Sequence, residues 1–549
     1  MTTLTPTRTT TPRRGPAGGS TFTGTGRLLR FGLRRDRVRI AVWAGSVAAL
    51  VGYMAAAIPA AYPDAAALET RAAIMREPSG AFMTGPGYGL DDYTLGVMIA
   101  NELLGMIAVA VALMSLLLVV RHTRADEETG RSDLVRAGAV GRDAPLAAAL
   151  GLLVIANLAV AAVLLAALVA NDLAPLDSLA VAAGAAVVGL VFGSVAAVTA
   201  QLGAHARTAS GMAGGLLGLA YVLRGVGDAA GPGGSALSWA SPVGWAQQTR
   251  AFVDLRWWPL LLGVVVAVAL VAVAFTLVGR RDVGAALLPA RRGRATARRG
   301  LLHPTGLLLR TEGATIVWWA VGLAVFAGLT GSMAQGVVDG FEAQPELAQV
   351  FGGTDGGDVL RSTLAAFLAF FAMAVAVYGV VAVNHLNREE DEGRTGVVLA
   401  AAVSRAAWLG ASLRVTLLGS ATLLLVSGLA LGAGAASAVG DGDLVGEFTL
   451  AALTYLPVVL CFVGLAALAH GLRAGTWWLW VLLVASIVVG IYGPLLDLPP
   501  AVLDAAPFSL VPLAPAEPVT VAPLALLTLV AAALVAAGAV ALRRRDLAA

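Results

Sequence analysis

The chain has 549 residues, 58% of them hydrophobic and only 13% charged, with a mean hydropathy of +0.82 and a formal net charge of +3. Soluble domains carry about 25% charged residues, so an ordinary water-soluble enzyme is excluded and a chain built for lipid is indicated. A single cysteine, Cys461, excludes a disulfide framework, and the complete lack of lysine excludes the nucleotide-binding motif GxxxxGK[ST] on this chain.

In chain order, residues 1–24 are rich in Thr, Pro and Gly and read as a disordered tail. The basic segment RLLRFGLRRDR (27–37) follows. It either lies along a membrane surface, leucines down and arginines among headgroups, or acts as a topology signal. Apolar runs long enough to cross a bilayer, about 20 residues, then recur twelve times, at 40–61, 95–120, 145–170, 178–202, 209–224, 258–278, 314–333, 360–384, 408–436, 445–468, 474–492 and 520–542. A cleaved leader drawn at Ile40–Ala61 would need a preceding region of 39 residues, which is unusually long. Arginines crowd before the first run, in the linker 284–304 and at Arg543, Arg544 and Arg545, whereas 334–359 holds Asp339, Glu342, Glu346, Asp355 and Asp358 without an arginine. Arginine marks the cytoplasmic side of short loops, so both termini and the linker are expected there, and the number of spans is even.

Between the second and third runs the chain reads ADEETGRSDLVRAGAVGR (125–142). A topology loop accounts for the arginines but not for the acids, which contribute little to orientation. Glu127 and Arg131 are four apart, a spacing that supports a helix, and Leu134, Val135 and Val140 add an apolar component. The pattern returns at an offset of 263: EETGRSDLVRAGAVGR (127–142) aligns with EDEGRTGVVLAAAVSR (390–405), placing Glu390, Gly393, Arg394 and Arg405 opposite Glu127, Gly130, Arg131 and Arg142. AHAR (204–207) matches AHGLR (469–473), RRDV (280–283) matches RRDL (544–547), and TGRLLR (25–30) matches TGLLLR (305–310). The chain is therefore expected to be all-α and polytopic, with two parallel six-helix repeats, 25–283 and 305–549, each carrying a short amphipathic docking helix at the same point.

Ionisable residues inside spans are functional candidates. Glu102, in MIANELLGM, is either interfacial or a cavity carboxylate for cationic substrate; Arg224 and Arg361 are expected to snorkel to the surface, and His205 and His470 to be interfacial structure. Met106 and Met114 on the second run, and Phe367, Phe370 and Phe371 on the eighth, either line an apolar cavity or pack as ordinary core. Paired catalytic carboxylates, a Ser/His/Asp order and metal-ligand spacings are missing, so intrinsic enzymatic chemistry is not expected, and neither a metal site nor a nucleic-acid partner.

Two six-helix halves with a cytoplasmic helix after spans two and eight resemble the ABC-2 type permeases of ABC exporters. The resemblance covers the chain from 25 onward and is nearest to the fused twelve-span exporters of polyketide antibiotics, a group that includes tetronasin-resistance and mycobacterial multidrug-efflux permeases. It rests on TGRLLRFGLRRDR (25–37), EETGR (127–131), VGR (140–142), LRGVGD (223–228), SPVGW (241–245) and RWWPLLL (256–262); the second half keeps EGR (392–394) but has APFSL (506–510) in place of SPVGW. The resemblance implies a bacterial inner-membrane exporter of hydrophobic drugs, antibiotics or lipid-like molecules, served by two copies of a separate ATPase that binds the ATP and Mg. It assigns Glu127, Glu128, Gly130, Arg131, Arg142, Glu390, Asp391, Gly393, Arg394 and Arg405 to contact with that ATPase. A proton-coupled carrier of major-facilitator type is the competing expectation, and it would need an embedded carboxylate, for which only Glu102 offers itself.

Overall fold

A computed structural model describes residues 20–62, 64–281, 286–288, 295–335, 356–492, 499, 503 and 506–545. The tail up to 19, much of the arginine-rich linker, the acidic stretch 336–355 and Asp546 lie outside the described residues. All described regular structure is helical. The chain divides into two compact units, Met1–Arg292 and Gly293–Ala549.

The first unit contains six long helices: α1 (Thr25–Ala61), α4 (Leu95–Glu128), α6 (Ala144–Val169), α7 (Pro175–Leu202), α8 (Ala206–Ala229) and α10 (Trp258–Arg280). Short helices α2 (Ala65–Arg76) and α3 (Pro78–Met83) fill the loop after α1, α5 (Arg131–Arg136) follows α4, and α9 (Pro242–Gln247) precedes α10. The second unit contains α11 (Pro304–Ser332), α12 (Gly356–Asp391), the short α13 (Arg394–Leu399), α14 (Arg405–Val439), α15 (Asp443–Leu472), α16 (Trp477–Tyr492) and α17 (Val521–Arg544). Eleven helices among the described residues are long and apolar enough to span a membrane. The run expected at 474–492 forms α16, whose 16 residues reach about 24 Å, short of a hydrocarbon core of about 30 Å. The chain is a multi-pass membrane protein.

Prolines start several of these helices, where their missing N–H costs nothing: Pro145, Pro175, Pro259 and Pro304 all lie in first turns. Ser404 caps α14 by accepting a hydrogen bond from the Ala407 amide at 3.1 Å. Within each unit the same pairs of helices pack together: first on third, third on fourth, and both second and sixth on the fourth. The fourth helices, α7 and α15, are thus the core of each unit. In lipid the drive for such packing is close backbone contact rather than water exclusion. Glycine permits it: a Cβ on Gly189 of α7 would lie 2.0 Å from Asn157 Oδ1, and one on Gly434 of α14 would lie 2.2 Å from the Gly328 carbonyl.

One boundary differs from the sequence expectation. The basic segment 27–37 is not a separate surface helix, because α1 runs without interruption from Thr25. Nothing in RLLRFGLRRDR breaks a helix, and its polar groups find partners on α4: Arg35 reaches Asp126 at 3.1 Å, and Asp36, 1% exposed, meets His122.

Candidate coupling site

Counting helix reversals in the first unit puts the start of α1, the α4–α5–α6 connection, the α7–α8 turn and the end of α10 on one side. The charged segment sits there. α4 passes through a π-helical turn at Arg121–Ala125 and ends at Glu128; Gly130 then takes a left-handed conformation, φ +71°, and α5 begins. The second unit repeats this with Gly393 at φ +72° between α12 and α13. A Cβ at either glycine would meet nothing within 4 Å, so only backbone conformation demands glycine. Gly130→Val and Gly393→Val are each expected to destabilise by about 1–2 kcal/mol, with Asn milder, as read by thermal unfolding in detergent.

The left-handed turn also overrides the expected helical pairs. Arg131 pairs with Asp126 at 3.5 Å rather than with Glu127. Arg394 pairs with Glu389 at 2.6 Å and with Glu392, not with Glu390. The Glu389 carboxylate, hydrogen-bonded to it, raises the Arg394 guanidinium above its ordinary value.

The displaced glutamates turn inward. Glu127 takes Arg281 at 2.5 and 2.9 Å and Arg124 at 2.9 Å, with side-chain exposures of 11%, 6% and 2% respectively. Glu390 takes Arg545 through two bonds of 2.6 Å. Arg142 donates to the carbonyls of Val278 and Gly279 at 2.7 and 2.8 Å, at the end of α10. Arg405 donates to Leu542 and Arg545 at the end of α17. Terminal carbonyls lack intrahelical partners and carry the negative end of the helix dipole, so an arginine there both caps and neutralises. Each unit thus builds one clamp: the glutamate at the foot of its second helix holds the arginine that closes its sixth, and the arginine opening its third caps that same sixth helix. Four residues expected at a partner surface, Glu127, Arg142, Glu390 and Arg405, have their charges committed within their own unit.

Sequence reasoning missed a second repeated element. His122 faces the buried Asp36, and His385 lies 3.5 Å from Glu312 and 3.2 Å from Glu389. The two histidines are 263 apart, the same offset as the glutamates, so the signal was present in the sequence.

Outside these pairs the segment is exposed. Leu134 is 79% and Val397 76% exposed, again 263 apart. Beside them Arg131 and Arg394 are half-exposed, and Asp391 is two-thirds exposed with Arg473 at 3.8 Å. Glu128 accepts from the Ala206 amide at 3.0 Å and meets His205 at 3.1 Å, tying the segment to the start of α8. His470, at the foot of α15, is buried against Asn387 at 2.6 Å.

The opposite side of the first unit carries a polar cap. Glu102 is held by Arg71 of α2 at 2.5 and 3.2 Å and accepts from the Tyr93 hydroxyl at 2.7 Å. Burial works to lower the Arg71 guanidinium, but the bound Glu102 carboxylate outweighs it and the net shift is upward. Burial, then the charge of Glu102, raises the Tyr93 hydroxyl. Glu102 is therefore a paired structural carboxylate. Arg224 does not snorkel: it is fully buried, 3.2 Å from Asp228 and 2.8 Å from the Phe82 carbonyl. Asp228 accepts from Ser238 at 2.6 Å, Ser241 caps α9, and the Trp245 indole donates to the Trp239 carbonyl at 2.7 Å. LRGVGD and SPVGW are the two faces of this cap. Arg361 is part-exposed and paired with Glu447 at 2.8 Å.

The apolar candidates separate. Met106 is half-exposed and Met114 buried, so they do not share a surface. Phe370 and Phe371 line a cavity of about 520 Å³ with Trp318, Trp319 and Phe326, and Phe367 packs on Phe370 with ring centroids 6.0 Å apart.

Helix number, length and apolarity define a polytopic membrane protein, and the comparisons say of which kind. The family described as "Multidrug efflux system permease Rv1217c, C-terminal domain" matches residues 301–543. Over 544 residues the chain is 38% identical to the multidrug efflux system permease protein Rv1217c of Mycobacterium tuberculosis (strain ATCC 25618 / H37Rv), covering 97% of each chain. The chain belongs to this family of ABC-type exporter permeases.

Proposed function

We propose that the chain is the permease subunit of an ATP-driven exporter that moves hydrophobic drugs, antibiotics or lipid-like molecules out of the cell. Two copies of a separate ATPase subunit, carrying the ATP and Mg, dock on α5 and α13. The chain lies in the inner membrane with both termini cytoplasmic, on the side of these helices. The related mycobacterial protein is named as a multidrug efflux permease, which supports the cargo class. The observation that carries the reading is the duplicated arrangement of an exposed apolar tip, Leu134 or Val397, on a short helix flanked by the glutamate and the arginine that hold the sixth helix of its unit. A push on α5 then reaches α10 through Glu127 and Arg281 instead of being lost in a loop. The open groove around Phe370 and Trp318 suits lipophilic cargo, since five of its lining side chains are aromatic. A proton-coupled carrier is less well supported, because Glu102 is already neutralised by Arg71.

The test is co-purification with a co-expressed candidate ATPase subunit, followed by ATPase and transport assays. Leu134→Asp and Val397→Asp are each expected to weaken assembly at least tenfold, since a buried unpaired carboxylate costs several kcal/mol, while leaving the fold intact. Transport that continues without any ATPase and collapses with the proton gradient would falsify the proposal.

A further inference from the structure

A second cavity, about 460 Å³, opens on the clamp side of the first unit between α1, α5, α6 and the end of α10. Its polar wall carries five arginines against two carboxylates, Asp126 and Glu127. Both carboxylates are spoken for, Asp126 by Arg35 and Glu127 by Arg281, and Arg142 is engaged with the α10 carbonyls. Arg136 is different. Its Nε is buried with no hydrogen-bond partner, and its guanidinium has no ion pair among the described residues. A buried donor of this kind costs about 1–3 kcal/mol when left unmade, so an anionic acceptor at Arg136 would be favoured. The other wall is apolar: Leu28 and Phe31 of α1 face Leu146 and Leu152 of α6, and Phe31 is 64% exposed. Leu146 and Leu152 lie in the opening turns of a spanning helix, so the cleft runs from a cationic rim at headgroup level toward the hydrocarbon.

We infer that this cleft binds one anionic phospholipid, its phosphate against Arg136 and an acyl chain along Phe31, Leu146 and Leu152. Charge complementarity selects the anionic class, and the adjoining apolar wall selects an amphiphile over a free anion. Because α5, α6 and the end of α10 all border the cleft, the lipid would brace the first clamp from behind.

Native mass spectrometry of the purified full-length chain in detergent tests this, with phosphatidylglycerol and phosphatidylcholine of the same acyl chains as probes. At least fivefold preferential retention of phosphatidylglycerol is expected, and Arg136→Gln should remove about fivefold of it, the worth of one arginine at a membrane surface. Phe31→Ser should lower retention of both lipids. Arg30→Gln, an exposed arginine of α1 that does not line the cleft, should change nothing. Equal retention of the two lipids, indifference to Arg136→Gln, or displacement of phosphatidylglycerol by millimolar inorganic phosphate would each overturn the inference.

Discussion

Glu127→Ala is expected to lower the unfolding free energy by about 3–5 kcal/mol, because removing one partner of a buried pair strands the other charge. Here it removes the counter-ion of two, Arg124 and Arg281, whose side chains are only 2% and 6% exposed and keep the neutral Ala204 carbonyl and Gln201 amide oxygen as acceptors. Glu390→Ala strands Arg545, 14% exposed, and should lie at the lower end of that range. The second unit allows the cleaner experiment. Glu390→Leu and Arg545→Met should each be costly alone, yet the double variant should recover most of the loss, since apolar replacement of a whole buried pair is often neutral. Thermal unfolding in detergent reads the stability, and ATPase stimulation by the assembled complex reads the coupling. If the clamp transmits force, the double variant folds but loses stimulation. A single-variant loss below about 0.5 kcal/mol would place the pair with ordinary surface bridges and remove the clamp from the mechanism.

Much of this architecture is legible before any coordinates, for a physical reason. A spanning helix must satisfy its backbone internally and present about 20 apolar residues to lipid, so eleven of the twelve runs stand out as full-length helices among the described residues. The duplication is equally visible, because EETGR and EDEGR keep their register through 263 residues of divergent apolar sequence. What the sequence conceals is which way a charge points. Glu127 and Arg131 read as an intrahelical pair, but Glu127 pairs instead with Arg124 and with Arg281, the latter 154 positions away. No spacing rule reaches that far; only the matched RRD endings of the two halves hinted at it. The left-handed glycines end the helix between the two residues of the expected pair. His122 and His385 share the repeat offset, but a lone histidine at the end of an apolar run carries no spacing that names its acidic partner on another helix.

Arg224→Met is the second large effect, with an expected loss of about 3–5 kcal/mol. The sequence places Arg224 near the end of a span, where snorkelling is the usual outcome. The fold closes that route: α3 lies over the end of α8, and the guanidinium donates to the Phe82 carbonyl at 2.8 Å while its plane rests 4.6 Å from the Tyr221 ring. Removing it leaves Asp228 buried at 2% exposure with Ser238 as its remaining donor, and frees the Phe82 carbonyl. Arg224→Met combined with Asp228→Leu should regain most of the pair's share but not the carbonyl's, leaving a residual loss of about 1–2 kcal/mol. Arg361→Met supplies the contrast. Its pair with Glu447 is about one-third exposed on both sides, so solvent screens it and the expected loss is under about 1 kcal/mol. Unfolding midpoints of the three variants, with proteolysis in the 77–94 loop as a local probe, decide the matter. Equal losses for Arg224→Met and Arg361→Met would mean that the cap is held by packing alone; an early cut in 77–94 confined to Arg224→Met would mean that α3 is pinned by this one guanidinium.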